Sequence, residues 1–340
     1  MFKWLEVAAA AGMLFAPLAV QAAAPTLYAL SQRSTSDEFL AYDLTQDPFA
    51  SPSGYTPTSI APADASLLGG SLVSIAITGN TLYALSQRGV NEEFLAYDLT
   101  QDPFASPSGY APTSIAPVDA SLLGGSLISI AISGNTLYAL SQRGTSEEFL
   151  TYDLTQDPFA SPSGYTPTSI APVDASLLGG SLVSIAISGS TLYALSQRGV
   201  NEEFLTYDLT QDPFASPSGY APTSIAPVDA SLLGGSLVSI AISGSTLYAL
   251  SQRGVNEEFL AYDLTQDPFA SPSGYTPTSI APVDASLLGG SLVSIAATTP
   301  DAASSSVPEP GTWGMVMLGA GAVGFAMRRR QGQAAALRFA

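Results

Sequence analysis

The sequence predicts an all-β protein, a five-bladed β-propeller, and three observations predict it. The octamer TLYALSQR begins at Thr26, Thr81, Thr136, Thr191 and Thr246, so one unit of 55 residues recurs five times. A repeat of that kind denotes an array, a solenoid or a propeller. Each unit consists of short alternating apolar segments between turn signals, and no stretch has a convincing helical period. The third observation is phase. The first copy opens on its second strand and the last copy ends on its first, so the two partial ends complete one blade. A solenoid needs atypical caps at its ends, whereas the terminal copies here read like the internal ones.

The stretch from Ser126 onward shows the elements in order. SLISIAIS, Ser126 to Ser133, alternates with period two: Ile128, Ile130 and Ile132 fall on one face, Ser129, Ala131 and Ser133 on the other. Gly134-Asn135 is a two-residue hairpin signal. TLYALSQ, Thr136 to Gln142, is the second strand. RGTSE, Arg143 to Glu147, reads as a polar loop, and EFLTYDL, Glu148 to Leu154, as the third strand. The segment QDPFASPSGYTP is loop, since Pro158, Pro162 and Pro167 exclude regular structure. TSIAPV is a short fourth strand, and DASLLGG leads to the next unit.

Both faces of these strands are apolar: Tyr152 and Leu154 lie opposite Phe149, and Leu137 opposite Tyr138. A small sheet buried on both faces needs a neighbour on each side, which blades around a channel provide. The unit is longer than the about 40–50 residues of common propeller repeats; the proline-rich loop holds the excess.

The two ends differ from the body. MFKWLEVAAAAGMLFAPLAVQAAAPT has a short positive start at Lys3, an apolar run from Val7 to Val20, and small residues at Ala22, Ala23 and Ala24. This pattern is a secretory signal peptide cleaved after Ala22 or Ala23. At the other end, Thr312 to Met327 is apolar over 16 residues, just under the roughly 17–25 of a spanning helix. Arg328, Arg329 and Arg330 then stay on the cytoplasmic side.

The predicted organisation is a signal peptide over 1–23 and a propeller over 26–297, with repeats 26–80, 81–135, 136–190, 191–245 and 246–297. A linker covers 298–306 and a sorting signal 307–330, with its transmembrane segment at 312–327.

The stretch VPEPGTWGMVMLGAGAVGFAMRRR, with Pro308, Glu309 and Pro310 ahead of the apolar run and the arginine cluster, resembles the PEP-CTERM sorting signal. The same tail is also labelled an ice-binding protein C-terminal domain, and nothing about ice is read from that label. The resemblance implies a Gram-negative bacterium that makes exopolysaccharide. It also implies recognition by exosortase, a membrane transpeptidase-like enzyme, with cleavage near the motif. Within the body, ISGNTLYAL followed by FLAYDLT resembles the repeat of extracellular β-propellers of the LVIVD type, which implies a fold and no activity.

Composition excludes several functions. The chain has no Cys and no His, so it lacks the residues of a Ser-His-Asp triad and of an ordinary zinc site. Its 28 Asp and Glu against 10 Lys and Arg give a net charge of −18, which repels nucleic acid. Each unit carries acids, in the second copy Glu92, Glu93, Asp98, Asp102 and Asp119, together with Arg88. Oxygen-rich loops suit calcium, but the spacing matches no EF-hand or nonapeptide repeat, and a solvated loop is the favoured reading. No cofactor is expected, calcium being the one metal considered. Asp98 sits inside a strand, where an acid bonds backbone or the Thr100 hydroxyl.

Tyr55, Tyr110, Tyr165, Tyr220 and Tyr275 recur on a loop and form a candidate ring of ligand contacts, unless each folds back to plug its own blade. Phe104 reads as packed. Identical blades argue against one asymmetric catalytic centre. The expectation is therefore a non-enzymatic exported cell-surface or matrix protein with exosortase, the membrane and exopolysaccharide or a matrix protein as partners. The alternative is a calcium-dependent propeller hydrolase of lactonase type, which needs carboxylates converging on the channel.

Overall fold

Three strands of each repeat and one of the repeat before it around the ring form an antiparallel four-stranded sheet, whose alternating segments bury one row of side chains against each neighbour. The structure, a computed structural model, describes residues 25–298 apart from short loop segments. The predicted signal peptide, all of the linker after Thr298 and the sorting tail with its apolar segment lie outside the described residues.

In chain order the strands are β1 (Thr26–Gln32), β2 (Asp37–Asp43) and β3 (Ser59–Pro62). The second blade holds β4 (Ser71–Thr78), β5 (Thr81–Arg88), β6 (Asn91–Asp98) and β7 (Ser114–Pro117). The third holds β8 (Ser126–Ser133), β9 (Thr136–Arg143), β10 (Ser146–Asp153) and β11 (Ser169–Pro172). The fourth holds β12 (Ser181–Ser188), β13 (Thr191–Arg198), β14 (Asn201–Asp208) and β15 (Ser224–Pro227). The fifth holds β16 (Ser236–Ser243), β17 (Thr246–Arg253), β18 (Asn256–Asp263) and β19 (Ser279–Pro282), and β20 (Ser291–Ala297) ends the fold.

The five sheets run β4-β5-β6-β7 and its equivalents, and the first blade runs β20-β1-β2-β3. The ring therefore closes as the phase of the repeats predicts: Leu27 pairs with Ala297 and Gln32 with Ser291. Thr298 N–H then donates to Thr26 O at 2.9 Å, and Thr26 N–H to Thr298 Oγ1 at 2.9 Å.

The hairpin joining the first two strands of a blade turns on glycine. Gly134 has φ 58°, the left-handed conformation that a two-residue primed turn requires. The next hairpin is tighter than its sequence predicts. Ser146 pairs with Arg143 and Glu147 with Gln142, so the strands run through most of the predicted loop. The reason is that Gln142 reaches past its own blade, as described below. TSIAPV does form a fourth strand, at Ser169–Pro172.

The core consists of five slabs, one at each blade junction. Between the second and third blades, Leu85, Phe94 and Val118 pack on Leu137, Ala139, Leu150 and Tyr152. Phe94 meets the Tyr152 ring edge-on at 5.0 Å, an arrangement worth about 0.5–1.5 kcal/mol beyond its burial.

The two ends of the ring carry different loops. One face holds the β5–β6 hairpin and the segment entering each inner strand. The other holds the β4–β5 turn, the β6–β7 loop and both chain ends, Thr26 and Thr298.

Candidate functional site

Ile75, Ile130, Ile185, Ile240 and Ile295 line the central channel with the alanines beside them, and among the described residues no ionisable side chain does. The space is about 50 Å³. An inner strand has a free edge towards the channel, and one serine per blade satisfies it. Ser74 Oγ accepts the Ile130 N–H at 3.0 Å, and Ser129 Oγ accepts the Ile185 N–H at 3.0 Å. Ser184, Ser239 and Ser294 continue the series to Ile240, Ile295 and Ile75, so the bonds form a closed ring. A bulge at each inner strand, with one register shift between Leu72 and Ser74, sets the serine at this level.

One acid of each blade holds two blades together. Glu92 is 7% exposed, not part of a solvated loop as its sequence position predicts. Its Oε1 accepts the Leu127 N–H of the next blade at 2.7 Å. Gln87, its cross-strand partner, donates from Nε2 to Leu127 O at 2.8 Å. The two side chains thus grip both polar groups of one peptide residue. The same grip recurs with Glu147 on Leu182, Glu202 on Leu237 and Glu257 on Leu292, and Asp37 does it for Leu72. Burial pushes the Glu92 carboxyl up to about 7, against the lowering effect of the Leu127 N–H.

Asp119 is buried and its Oδ1 accepts from the Ser121 N–H and hydroxyl at 3.0 and 2.6 Å. Asp98 behaves as its position predicts. Its Oδ1 accepts from the Thr100 hydroxyl and N–H at 2.7 and 2.9 Å, and these bonds hold its carboxyl below the usual range. Arg88 ends β5, and Asp102 and Phe104 lie outside the described residues. Among the described residues no group of three or more acids is placed to hold a metal ion.

The structure places the five repeated tyrosines at the blade junctions. Tyr55, Tyr110, Tyr165, Tyr220 and Tyr275 are 5–7% exposed and join adjacent blades. The Tyr110 N–H donates to Pro62 O at 2.6 Å, and its carbonyl accepts from Asp64 N at 3.0 Å. Its hydroxyl donates to Asp98 O, and its ring packs against Phe39 and Tyr97. Gly109 makes this approach possible: at φ 114° a Cβ there would stand 2.7 Å from Pro62 O. Burial, with the Asp98 charge second, pushes the Tyr110 phenol up to about 12.

The sequence reading missed the grip of Gln87 and Glu92 and the serine ring. A signal for the first was present. Alternation puts Glu92 on the same face as Phe94, the face that a blade must bury. A second feature was not legible at all. Where the fifth blade meets the first, a cleft of about 210 Å³ opens on the face that carries the chain ends. Tyr248, Phe259, Ala261 and Ser279 form one wall, Leu44, Gln46 and Tyr55 the other.

Residues 306–330 match the PEP-CTERM protein-sorting motif. That motif implies export through the cell envelope, a membrane-anchored precursor and exosortase processing. No curated protein sequence matches the chain. Among solved structures, a chain from the nidogen/laminin complex is 12% identical with a TM-score of 0.44, covering 80% of this chain and 98% of that one. Apo AztD from Citrobacter koseri is 13% identical with a TM-score of 0.32, covering 80% of this chain and 62% of that one. The PQQ-bound aldose sugar dehydrogenase from Streptomyces coelicolor is 15% identical with a TM-score of 0.34, covering 62% and 68%. The chain is thus a five-bladed β-propeller that carries a PEP-CTERM sorting motif.

Proposed function

We propose that this exported protein is a non-enzymatic binding and structural module of the cell surface or extracellular matrix, acting through contacts repeated around its ring. The observation that carries this reading is the equivalence of the blades. Glu92, Asp98 and Asp119, acids that the sequence offered for chemistry, are engaged in holding strands and turns, and the grip of Glu92 recurs with Glu147, Glu202 and Glu257. The channel, where a propeller enzyme assembles different residues from different blades, is lined by isoleucine and alanine. The sorting motif adds that the module is delivered to the envelope. Exopolysaccharide or a matrix protein is the partner that the resemblance of the tail implies.

The test is retention of the full chain, held in detergent, on the producing cell's own polysaccharide, with calcium and with a chelator. Retention in both conditions, without turnover of lactone or phosphoester substrates, is expected. No retention, combined with calcium-dependent hydrolysis, would establish the hydrolase reading instead.

A further inference from the structure

We propose that the clefts between blades are binding subsites for single rings of a neutral sugar. This rests on the reading of the protein as a contact module and supplies the site that such a module needs. The cleft between the fifth and first blades has aromatic and apolar walls from Tyr248, Phe259, Tyr55 and Leu44. Gln46 and Ser279 add an amide and a hydroxyl to the lining. Among the described residues no charged side chain lines it. A ligand matched to this chemistry is amphipathic and uncharged. A pyranose fits: its C–H face stacks on aromatic rings, and its hydroxyl edge bonds amide and hydroxyl groups. An anionic ring is disfavoured, since Asp43 lies close enough to raise the Tyr55 phenol and the chain carries a net charge of −18.

The cleft is held open by contacts already described. Tyr55 is fixed by its N–H bond to Pro282 O and by its hydroxyl on Asp43 O. Gln46 is exposed, and its Nε2 lies 3.4 Å from Asp43 Oδ2. Tyr248 faces Tyr55 closely enough to affect its ionisation, and the same pairing recurs as Tyr28 with Tyr110, Tyr83 with Tyr165, Tyr138 with Tyr220 and Tyr193 with Tyr275. The repeat therefore sets the same residues at all five junctions. Five weak sites on one rigid ring engage a polymer of repeating sugars far more tightly than any one of them engages a monomer.

One wall position varies among the copies. It is Ala41, Ala96 and Ala261 in three blades and Thr151 and Thr206 in two. Thr151 Oγ1 lies 2.9 Å from Thr168 Oγ1, and Thr206 Oγ1 2.9 Å from Thr223 Oγ1. The five subsites thus fall into two classes, three with a methyl wall and two narrowed by a threonine.

The test is saturation-transfer NMR on the full chain in detergent, with methyl glucopyranoside, methyl mannopyranoside and methyl glucuronoside as probes. The expected result is transfer to a neutral glycoside, with little to the glucuronoside. Replacing the exposed glutamines together (Gln46→Ala, Gln101→Ala, Gln156→Ala, Gln211→Ala and Gln266→Ala) is expected to weaken binding roughly threefold to tenfold. Circular dichroism checks that this variant keeps its fold; if it does not, the single change Gln46→Ala is used, and weaker transfer at the cleft between the fifth and first blades is expected. Transfer to no neutral glycoside, or equal transfer in wild type and variants, overturns the proposal. Retention of the wild-type chain on whole polysaccharide separates the two readings. If it persists while these results are negative, the module binds elsewhere; if it is also absent, the contact reading itself fails.

Discussion

The Glu92 carboxylate accepts the Leu127 N–H across a blade junction at 2.7 Å while its second oxygen, buried, has no partner. A buried carboxylate with one oxygen unmatched prefers its proton, which is why its value rises from 4.5 to about 7. Glu147, Glu202 and Glu257 are raised by the same burial, and Asp37 is raised at its own junction.

The sign of the pH dependence follows. A carboxyl that binds its proton more readily in the fold than in the unfolded chain favours folding below its unfolded value. For Glu92 that contribution is complete below 4.5 and is lost as pH rises through about 7. Asp43, Asp98, Asp153, Asp208 and Asp263 act oppositely, since their values are lowered and their contribution is lost in strong acid. The denaturation midpoint is expected to be higher at about pH 5 than at about pH 8. The variant with Glu92, Glu147, Glu202 and Glu257 changed to Gln is expected to flatten that slope. A midpoint that rises steadily from pH 5 to pH 8 would contradict this account.

The serine ring makes a second prediction. Ser129→Ala leaves the buried Ile185 N–H without its acceptor. Such a loss costs about 1–3 kcal/mol, readable as a lower urea midpoint with an unchanged slope. Ser129→Thr keeps the hydroxyl and is expected to recover most of the loss.

Two glycines separate turn chemistry from close approach. Gly134, at φ 58°, has nothing within 4 Å of a would-be Cβ, so Gly134→Ala bears only the left-handed backbone term, about 1–2 kcal/mol. Gly109→Ala adds a collision with Pro62 O at 2.7 Å and displaces the Tyr110 strand contact. Thermal unfolding of the two variants is expected to show Gly109→Ala as clearly the worse.

The fold was legible because its signals are local and repeated. The period, the alternation of Ser126–Ser133, the Gly134-Asn135 turn and the offset ends each fix one feature of the propeller. The site was less legible, because its parts meet across blade junctions. Nothing near Tyr110 in sequence says that its N–H bonds Pro62, and a loop aromatic looks available when read alone. Nothing near Gln46 says that Tyr248 faces it across a cleft. Glu92 reads as part of a polar loop because nothing beside it in sequence shows that Gln87 and Glu92 pair and grip Leu127 of the next blade.

Closure supplies another prediction. β20 gives the first blade its inner strand, and Ser294 Oγ gives Ile75 its acceptor. Deleting Ser291–Ala297 opens the ring, bares the edge of β1 and exposes the apolar faces of the first and fifth blades. Such edges pair between chains. The deleted chain is expected to lose its cooperative transition and to elute as larger species in size-exclusion chromatography.

The last prediction concerns processing at the tail. The final anchored residue of the propeller is Thr298, whose N–H bonds Thr26 O and whose carbonyl accepts from the Ser243 hydroxyl at 2.8 Å. Ring closure is therefore complete before the chain reaches Pro308, Glu309 and Pro310. Cleavage there removes the apolar run and Arg328, Arg329 and Arg330 and leaves the bonds of Thr298 in place. Mass spectrometry of the exported protein is expected to find a mature chain without those arginines, with the same unfolding midpoint as the precursor. Changing Pro308, Glu309 and Pro310 together to alanine is expected to leave the arginines in place and the protein in the membrane fraction. A mature wild-type chain that keeps Arg328–Arg330 in an exosortase-bearing cell would show that the motif is not processed.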